Sequence, residues 1–414
     1  MSVENSQKTK GFPWDIPRTR PDRPLSRAME RLYSNYPTPR PEDNPLFTSF
    51  KYTRITGFDY GLEDGRVSRR DPSKIICDNG KYYVWYTKRD TISPPSGAEF
   101  CSDDIPSTDW DLSDIWYATS LDGFHWEEQG IAVPRPNKPK PGWRSVSTPD
   151  ILLWKGKYYL YYQAFEEPSG LKGDHCPVSV SSADSPDGPW TPCADAVIPN
   201  GAPGEWDQYS IHDPYPIVIN GKIYVYYKAA FGDKPDCLVG NGVAIADDPL
   251  GPFVKHPLNP VLNSGHETTV FRFGNGVAAF AIRNGIESNT IQYSPDGINF
   301  DIAAVTSLMP VGAGPYIPDV FISEGQGKGF TWGLAHFCDH DKPDRKFSFL
   351  GRFDCDLRNK FPRSNIANNT EIKWGPDAFF SQGLSEEIKA LRAREAREEA
   401  ISKENTSSDS VEDN

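Results

Sequence analysis

The sequence predicts an all-β fold, a five-bladed β-propeller with a short N-terminal helical extension and a C-terminal helix. Two observations carry this. One hairpin pattern recurs five times, and a second turn motif follows the first four copies. The copies begin at Asp71, Asp150, Asp213, Glu267 and Asp319. Spacings of roughly 50–80 residues with several short strands per unit are the mark of a propeller.

The copy at Tyr209–Gly232 is the clearest. Asp213-Pro214 leads into Ile217-Val218-Ile219, an Asn220-Gly221-Lys222 turn and the run Ile223-Tyr224-Val225-Tyr226-Tyr227. Two β-rich runs around Asn-Gly are the strongest short-range hairpin signal. The first copy reads Asp71-Pro72 to Ile76, Asn79-Gly80-Lys81, then Tyr82 to Tyr86. The second reads Pro149-Asp150 to Trp154, Lys155-Gly156-Lys157, then Tyr158 to Tyr162. The fourth runs from His266-Glu267 through Gly274-Asn275-Gly276 to Phe280, and the fifth from Pro318-Asp319 through Gly325–Gly329 to Leu334. The second motif is a Ser/Asp-rich turn with glycine and an aromatic residue. It stands at Ser120–Trp126, Ser185–Trp190, Asp248–Phe253 and Ser294–Phe300, each after an alternating run. Each unit thus holds two hairpins, or four strands. The pattern places the propeller at residues 46–357, an extension at 1–45 and a C-terminal segment at 358–414.

The flanks read differently. Leu25–Asn35 is a short helix candidate capped by Ser26, with Ala28, Met29, Leu32 and Tyr33 on one side. A helix this short between prolines needs something to pack on, either its own propeller or a second subunit. Ile92–Asp114 is an irregular stretch long enough to form a rim over the funnel. Leu384–Lys403 reads as a helix with a thin apolar stripe, and the acidic, Ser-rich Glu404–Asn414 as disordered.

Composition narrows the function. The chain has 414 residues, 37% hydrophobic and 13% aromatic, enough for one large β domain. A net charge of −13 lacks the electrostatic footprint of a nucleic-acid binder and suits a neutral ligand. The seven cysteines are scattered and contain no Cys-x-x-Cys, which argues against a metal finger or a disulfide scaffold. No run approaches 18 apolar residues, so no membrane segment is expected, and Met1–Lys10 has no apolar core. A cytoplasmic location is the expectation, or a periplasmic one if a signal has been trimmed away.

In a propeller the innermost strands converge on one axis, so the five leading acids are expected to face one another across a funnel. Neighbouring carboxylates split their pKa values, and a pair flanking a glycosidic bond is the arrangement of a glycoside hydrolase. Each acid alone could equally cap a turn. His266-Glu267 departs from the Asp-Pro pattern, and a histidine beside a carboxylate can hold a proton near neutrality. Aromatic residues in or beside the repeats offer flat faces for sugar rings, among them Trp85, Trp116, Trp143, Trp154, Tyr209, Tyr215 and Tyr316. Trp116, Thr148, Gln163, His175 and Tyr316 are the expected substrate contacts.

The chain resembles glycoside hydrolase family 117, the α-1,3-(3,6-anhydro)-L-galactosidases acting on neoagaro-oligosaccharides. The likeness spans nearly the whole chain and includes Ser26-Arg27-Ala28-Met29-Glu30-Arg31, which fits that family's SxAxxR helix motif. It implies an inverting, exo-acting hydrolase and a homodimer formed by swapping the N-terminal helix through Ser26, Ala28 and Arg31. By the same resemblance Asp71 is the general base, Asp213 the residue that tunes pKa and orientation, and His266 the general acid. Glu267 supports His266 or replaces it. The resemblance implies no organic cofactor and leaves room for a divalent cation near the site, although no ligand cluster is visible in the sequence. An arabinanase-like furanosidase or xylosidase, or a non-catalytic sugar-binding propeller, are the competing expectations.

Overall fold

The computed structural model describes residues 17–34, 46–170, 175–193, 195–230, 239–282, 285, 287–322, 324–338, 347–358, 390–395 and 397–398. Helix α1 (Arg27–Arg31) comes first, then strand β1 (Lys51–Arg54). Strands β2 (Val67–Arg70), β3 (Ile76–Asp78), β4 (Lys81–Asp90), β5 (Ser113–Ser120) and β6 (Glu127–Val133) form one antiparallel sheet, with β2 and β3 both paired to β4. A second sheet holds β7 (Ser145–Trp154), β8 (Lys157–Phe165), β9 (Val178–Ala183) and β10 (Thr191–Pro192). A third holds β11 (His212–Ile219), β12 (Lys222–Ala230), β13 (Val239–Ala246) and β14 (Val254–Lys255). The fourth group is β15 (Thr269–Gly274), β16 (Gly276–Ala281), β17 (Thr290–Ser294) and β18 (Asp301–Val305). The last is β19 (Gly314–Pro315), β20 (Gly327–Cys338) and β21 (Ser348–Arg358), to which β1 adds from the other end of the chain. Two residue pairs, Phe273 with Lys328 and Gly274 with Gly327, join these last two groups into one continuous sheet.

The local chemistry explains the hairpins. Asn79-Gly80, Lys155-Gly156 and Asn220-Gly221 all have positive φ at both central positions, the turn that matches strand twist. The Ser/Asp motif closes the outer turns: Asp122 Oδ1 accepts the Phe124 and His125 amides, and Asp296 Oδ1 those of Ile298 and Asn299. The sheets pack through apolar faces. Leu152, Tyr161 and Val180 meet Ile223, Val225 and Tyr227 between the second and third, and Phe271, Phe280, Phe330 and Phe353 meet between the last two groups.

The fifth hairpin differs from its expected place. Residues 318–321 form a turn, not a strand. The short β19 lies before them, and the long β20–β21 pair after. Of the expected C-terminal helix, residues 390–395 are helical, with Arg392 buried and its Nε 4.0 Å from Asp354. The remainder of that segment, apart from 397–398, and the acidic tail lie outside the described residues.

Helix α1 packs on its own chain. Ser26 Oγ accepts the Met29 amide and donates to the Pro260 carbonyl at 2.7 Å, so one hydroxyl caps the helix and anchors it. Ala28 and Met29 are fully buried. Arg31 is buried as well, and donates to both Glu287 oxygens, to the Phe300 carbonyl and to Gln292.

Candidate active site

Five strand positions that meet at one cavity are each an interruption or an entrance. Asp71 falls in the gap between β2 and β3, Thr148 and Asp213 sit at register breaks in β7 and β11, and Glu267 and Gly312 lead into β15 and β19. All five have left-handed backbone, with φ between 47° and 55°. Four side-chain-bearing residues in that conformation are uncommon and costly singly. Here each sits at a bulge or strand entrance, which turns its side chain out of the ladder toward the axis. Proline follows three of them, where a missing N–H leaves no ladder donor unpaired. The five positions line one small cavity of about 30 Å3, together with Pro72, Asp150, Tyr215 and Thr269 among others.

This corrects the sequence reading of the ring. Three of the five expected acids are there: Asp71, Asp213 and Glu267. In the second sheet the ring position is Thr148, and Asp150 lies two residues along, paired with Lys74. Lys74 Nζ also donates to the Pro216 carbonyl, so this buried pair closes the floor beneath the cavity. Asp319 is not in the cavity; it lines a separate hollow of about 360 Å3 with Lys74, Leu152 and Val218. In the last group the ring position is Gly312. A Cβ there would stand 2.6 Å from His336 Nδ1, so the imidazole takes the space that a fifth ring side chain would fill.

Asp71 is 4% exposed. Its Oδ2 accepts from Arg70 Nε at 2.9 Å, Thr87 Oγ1 at 3.1 Å and Thr148 Oγ1 at 3.3 Å. Its Oδ1 has no hydrogen-bond donor among the described residues; His336 Nδ1 is 3.3 Å away, but that nitrogen accepts the Asp71 amide. His336 Nε2 lies 3.5 Å from Glu267 Oε1, so the ring stands between the two carboxylates. Burial alone would raise the Asp71 carboxyl. The Arg70 charge and then His336 outweigh it and hold the group at about 2.

Glu267 is 5% exposed and is held by cationic and donor groups. Arg70 Nη2 donates to Oε1 at 2.7 Å and His266 Nε2 lies 3.2 Å from the same oxygen. Burial again pushes up, and His336, His266 and Arg70 together hold the carboxyl well below its ordinary range. Glu267 is the ionised partner of Arg70 in this arrangement. Asp213 Oδ2 accepts the Glu267 amide at 2.9 Å, and its own amide donates to Gln163 Oε1 at 2.9 Å. Lys228 Nζ stands 3.3 Å from His266 Nδ1 and 3.9 Å from Asp213 Oδ2.

The other expected contacts are dispersed. Gln163 is buried and positions Asp213. Trp116 lies on β5 under the Lys88 ammonium, 3.5 Å from its ring centre, and packs into the cluster between the first and last sheets. Tyr316 is buried in the same cluster, stacked on Trp332 and edge-on to Tyr82. Neither lines the acid cavity; both pack into the cluster between the sheets. His175 is exposed and lines a different surface hollow, with Pro177, Asn200 and Tyr209.

Sequence reasoning missed His336, Arg70, Thr87, Lys228 and Trp110. Trp110 stacks on the Arg70 guanidinium at 4.8 Å and comes from the expected rim stretch. Arg70, next to Asp71, was legible as a charge, but its reach to Glu267 spans 197 residues of sequence. Nothing in the local sequence marks His336.

Asp71, Glu267 and His336 each place a ligand-type atom within 4.8 Å of the others. Arg70 already donates to both carboxylates, so its guanidinium stands where a divalent ion would bind. A metal would have to displace it, and the residues as arranged do not fit one.

No family model matches this chain, and no curated protein does. Solved structures do. Zg3597, a family 117 glycoside hydrolase produced by the marine bacterium Zobellia galactanivorans, is 59% identical over 83% of this chain and 100% of its own, with a TM-score of 0.76. A protein described as a glycoside hydrolase, at 14% identity and a TM-score of 0.51 over 82% of this chain and 96% of its own, shares the fold alone. The sheets and the first of these likenesses define an enzyme class, the glycoside hydrolases. Within that class, the chain belongs to glycoside hydrolase family 117.

Proposed function

We propose that this enzyme is an exo-acting, inverting hydrolase that releases 3,6-anhydro-L-galactose from the non-reducing end of neoagarobiose and its longer homologues. The observation that carries the reading is Asp71. One of its oxygens is fixed by three donors, and the other is buried, ionised and without a donor among the described residues. That is what a general base needs in order to orient a water and take its proton. His266 is the acid, since Glu267 beside it is held ionised. An inverting base and acid stand roughly 6.5–9.5 Å apart to leave room for a water, and Glu267, within 4.8 Å of Asp71 and 3.2 Å from His266 Nε2, is the group between the two. Asp213 orients Glu267 and faces Lys228. The Lys74–Asp150 floor makes the funnel blind, so a sugar chain enters by its end.

The same proposal reads the five strand groups as five blades, with β1 on β21 closing the ring. It reads the α1 contacts as those a partner's helix makes in a swapped homodimer, with residues 35–45, outside the described residues, as the connector. A cytoplasmic enzyme taking up imported disaccharide fits the reading.

The test is sugar release from neoagarobiose against aryl arabinofuranosides and xylosides. Turnover of neoagarobiose, abolished in Asp71→Asn with sugar binding kept, is the expected result. Cleavage of the aryl pentosides alone would replace the substrate, and binding without turnover of any would replace the enzyme by a lectin.

A further inference from the structure

The surroundings of His266 are the reverse of a catalytic triad. In a triad a carboxylate backs the far nitrogen of the histidine and helps it to take a proton. Here the carboxylate, Glu267 Oε1, is on the Nε2 side at 3.2 Å, and the group behind Nδ1 is an ammonium, Lys228 Nζ, at 3.3 Å. An ammonium donates and cannot accept, so Nδ1 is an acceptor and the one ring proton is on Nε2. A neutral ring that gave up this proton alone would become an imidazolate. It needs a replacement proton at Nδ1, and the group positioned to supply it is Lys228.

We propose that Lys228 is the proton source behind His266, a positioning residue that works through the ring. This deepens the reading of His266 as the acid and rests on it. The step balances. As the glycosidic C–O bond breaks, the Nε2–H proton passes to the leaving oxygen while an Nζ–H proton of Lys228 passes to Nδ1. The ring stays neutral and exchanges one tautomer for the other. The attacking water adds its oxygen to the anomeric carbon and gives its proton to Asp71 Oδ1. Lys228 ends as a neutral amine and Asp71 as a carboxylic acid. Exchange of both with solvent restores the starting state with no net proton gained or lost.

Three structural facts favour this over a structural lysine. Lys228 is 8% exposed, yet among the described residues its ammonium is not locked in a close ion pair: Asp213 Oδ2 is 3.9 Å away, while His266 Nδ1 is nearer at 3.3 Å. It sits on β12, paired with His212 of β11, and so is carried on the strand next to the one that places Asp213. His266 itself retains a side-chain exposure of 22%, so its neighbours do not seal the ring off from a ligand.

The experiment compares two leaving groups. Neoagarobiose has a poor one, a sugar hydroxyl, and the 4-nitrophenyl glycoside of the same anhydro sugar has a good one that needs no proton. In Lys228→Met and Lys228→Arg, kcat on the disaccharide is expected to fall about 10²–10⁴-fold, the usual worth of acid catalysis, and the aryl rate to stay within about tenfold. Arginine keeps the charge but does not release a proton, so disaccharide turnover restored by Lys228→Arg would overturn the proposal. An equal loss on both substrates would also overturn it. A measurement on the unmodified enzyme covers the case in which the variants do not fold. The 15N spectrum of His266 near neutral pH should show Nε2 protonated and Nδ1 bare, and a protonated Nδ1 would end the idea. The underlying reading fails separately. His266→Ala that spares the disaccharide, or a wild type that cleaves neither substrate, removes His266 or the sugar from the account, whereas a normal His266→Ala loss with unaffected Lys228 variants removes Lys228 alone.

Discussion

Replacing Arg70 by methionine should reverse the way this enzyme's stability responds to acid. Arg70 is the charge between Asp71 and Glu267, donating 2.9 Å to one and 2.7 Å to the other. Without it two buried carboxylates face each other within 4.8 Å. At an effective dielectric of about 20 their repulsion is about 3 kcal/mol, enough to lift the first carboxyl to protonate from an ordinary value near 4 to about 6. In the wild type Asp71 is held at about 2, below its unfolded value. Its contribution is therefore present above about pH 4 and is lost as pH falls through about 2. In Arg70→Met the shared folded pKa lies above the unfolded one, so the contribution is present below about pH 4 and is lost as pH rises through about 6. Thermal melts at pH 7 and pH 5 test this. Wild-type Tm should change little over that interval, and the variant, several degrees lower at pH 7, should recover part of its loss at pH 5. A variant whose Tm is flat or falls between pH 7 and pH 5 would mean that Arg70 does not hold the two charges together.

Three other substitutions probe how the fold is built. Gly312→Ala places a methyl 2.6 Å from His336 Nδ1 at a φ of 55°, so it should displace the imidazole, cost about 1–3 kcal/mol and lower turnover at least tenfold. Gly325→Ala, also at positive φ but with nothing within 4 Å, should cost only the backbone strain of about 1 kcal/mol and leave activity intact. Arg31→Ala leaves Glu287 buried without its charge partner and should cost about 3–5 kcal/mol. If α1 is exchanged between subunits, sedimentation of that variant should also show a shift from dimer toward monomer; an unchanged mass with a lowered Tm would mean that the helix serves its own chain only.

What the sequence made legible is what short-range chemistry specifies. Asn-Gly turns and alternating aromatic runs placed the strands of the first four groups because hairpins are set by neighbours in the chain. Asp71, Asp213 and Glu267 were found for a related reason: each stands where an innermost strand begins or breaks. The acids were nevertheless the wrong landmark. The ring is specified by a left-handed bulge, which Thr148-Pro149 shares with Asp71-Pro72 and Asp213-Pro214, and the leading acid of the second copy lies two residues beyond it. At Gly312 the bulge carries no side chain at all, so the repeat offers no carboxylate there, and the nearest leading acid in sequence, Asp319, lies on the far side of the Lys74–Asp150 floor. His336 then enters from β20, and only the missing Cβ of a residue 24 positions earlier makes room for it. Side chains that meet because another is absent leave no mark in their own stretch of sequence. The same holds for Lys228, which reads as one more polar residue at the end of a strand until the third and fourth groups bring it behind His266. The carboxylates of this site are thus local features, while the groups that set their charge reach them only when separate sheets pack together.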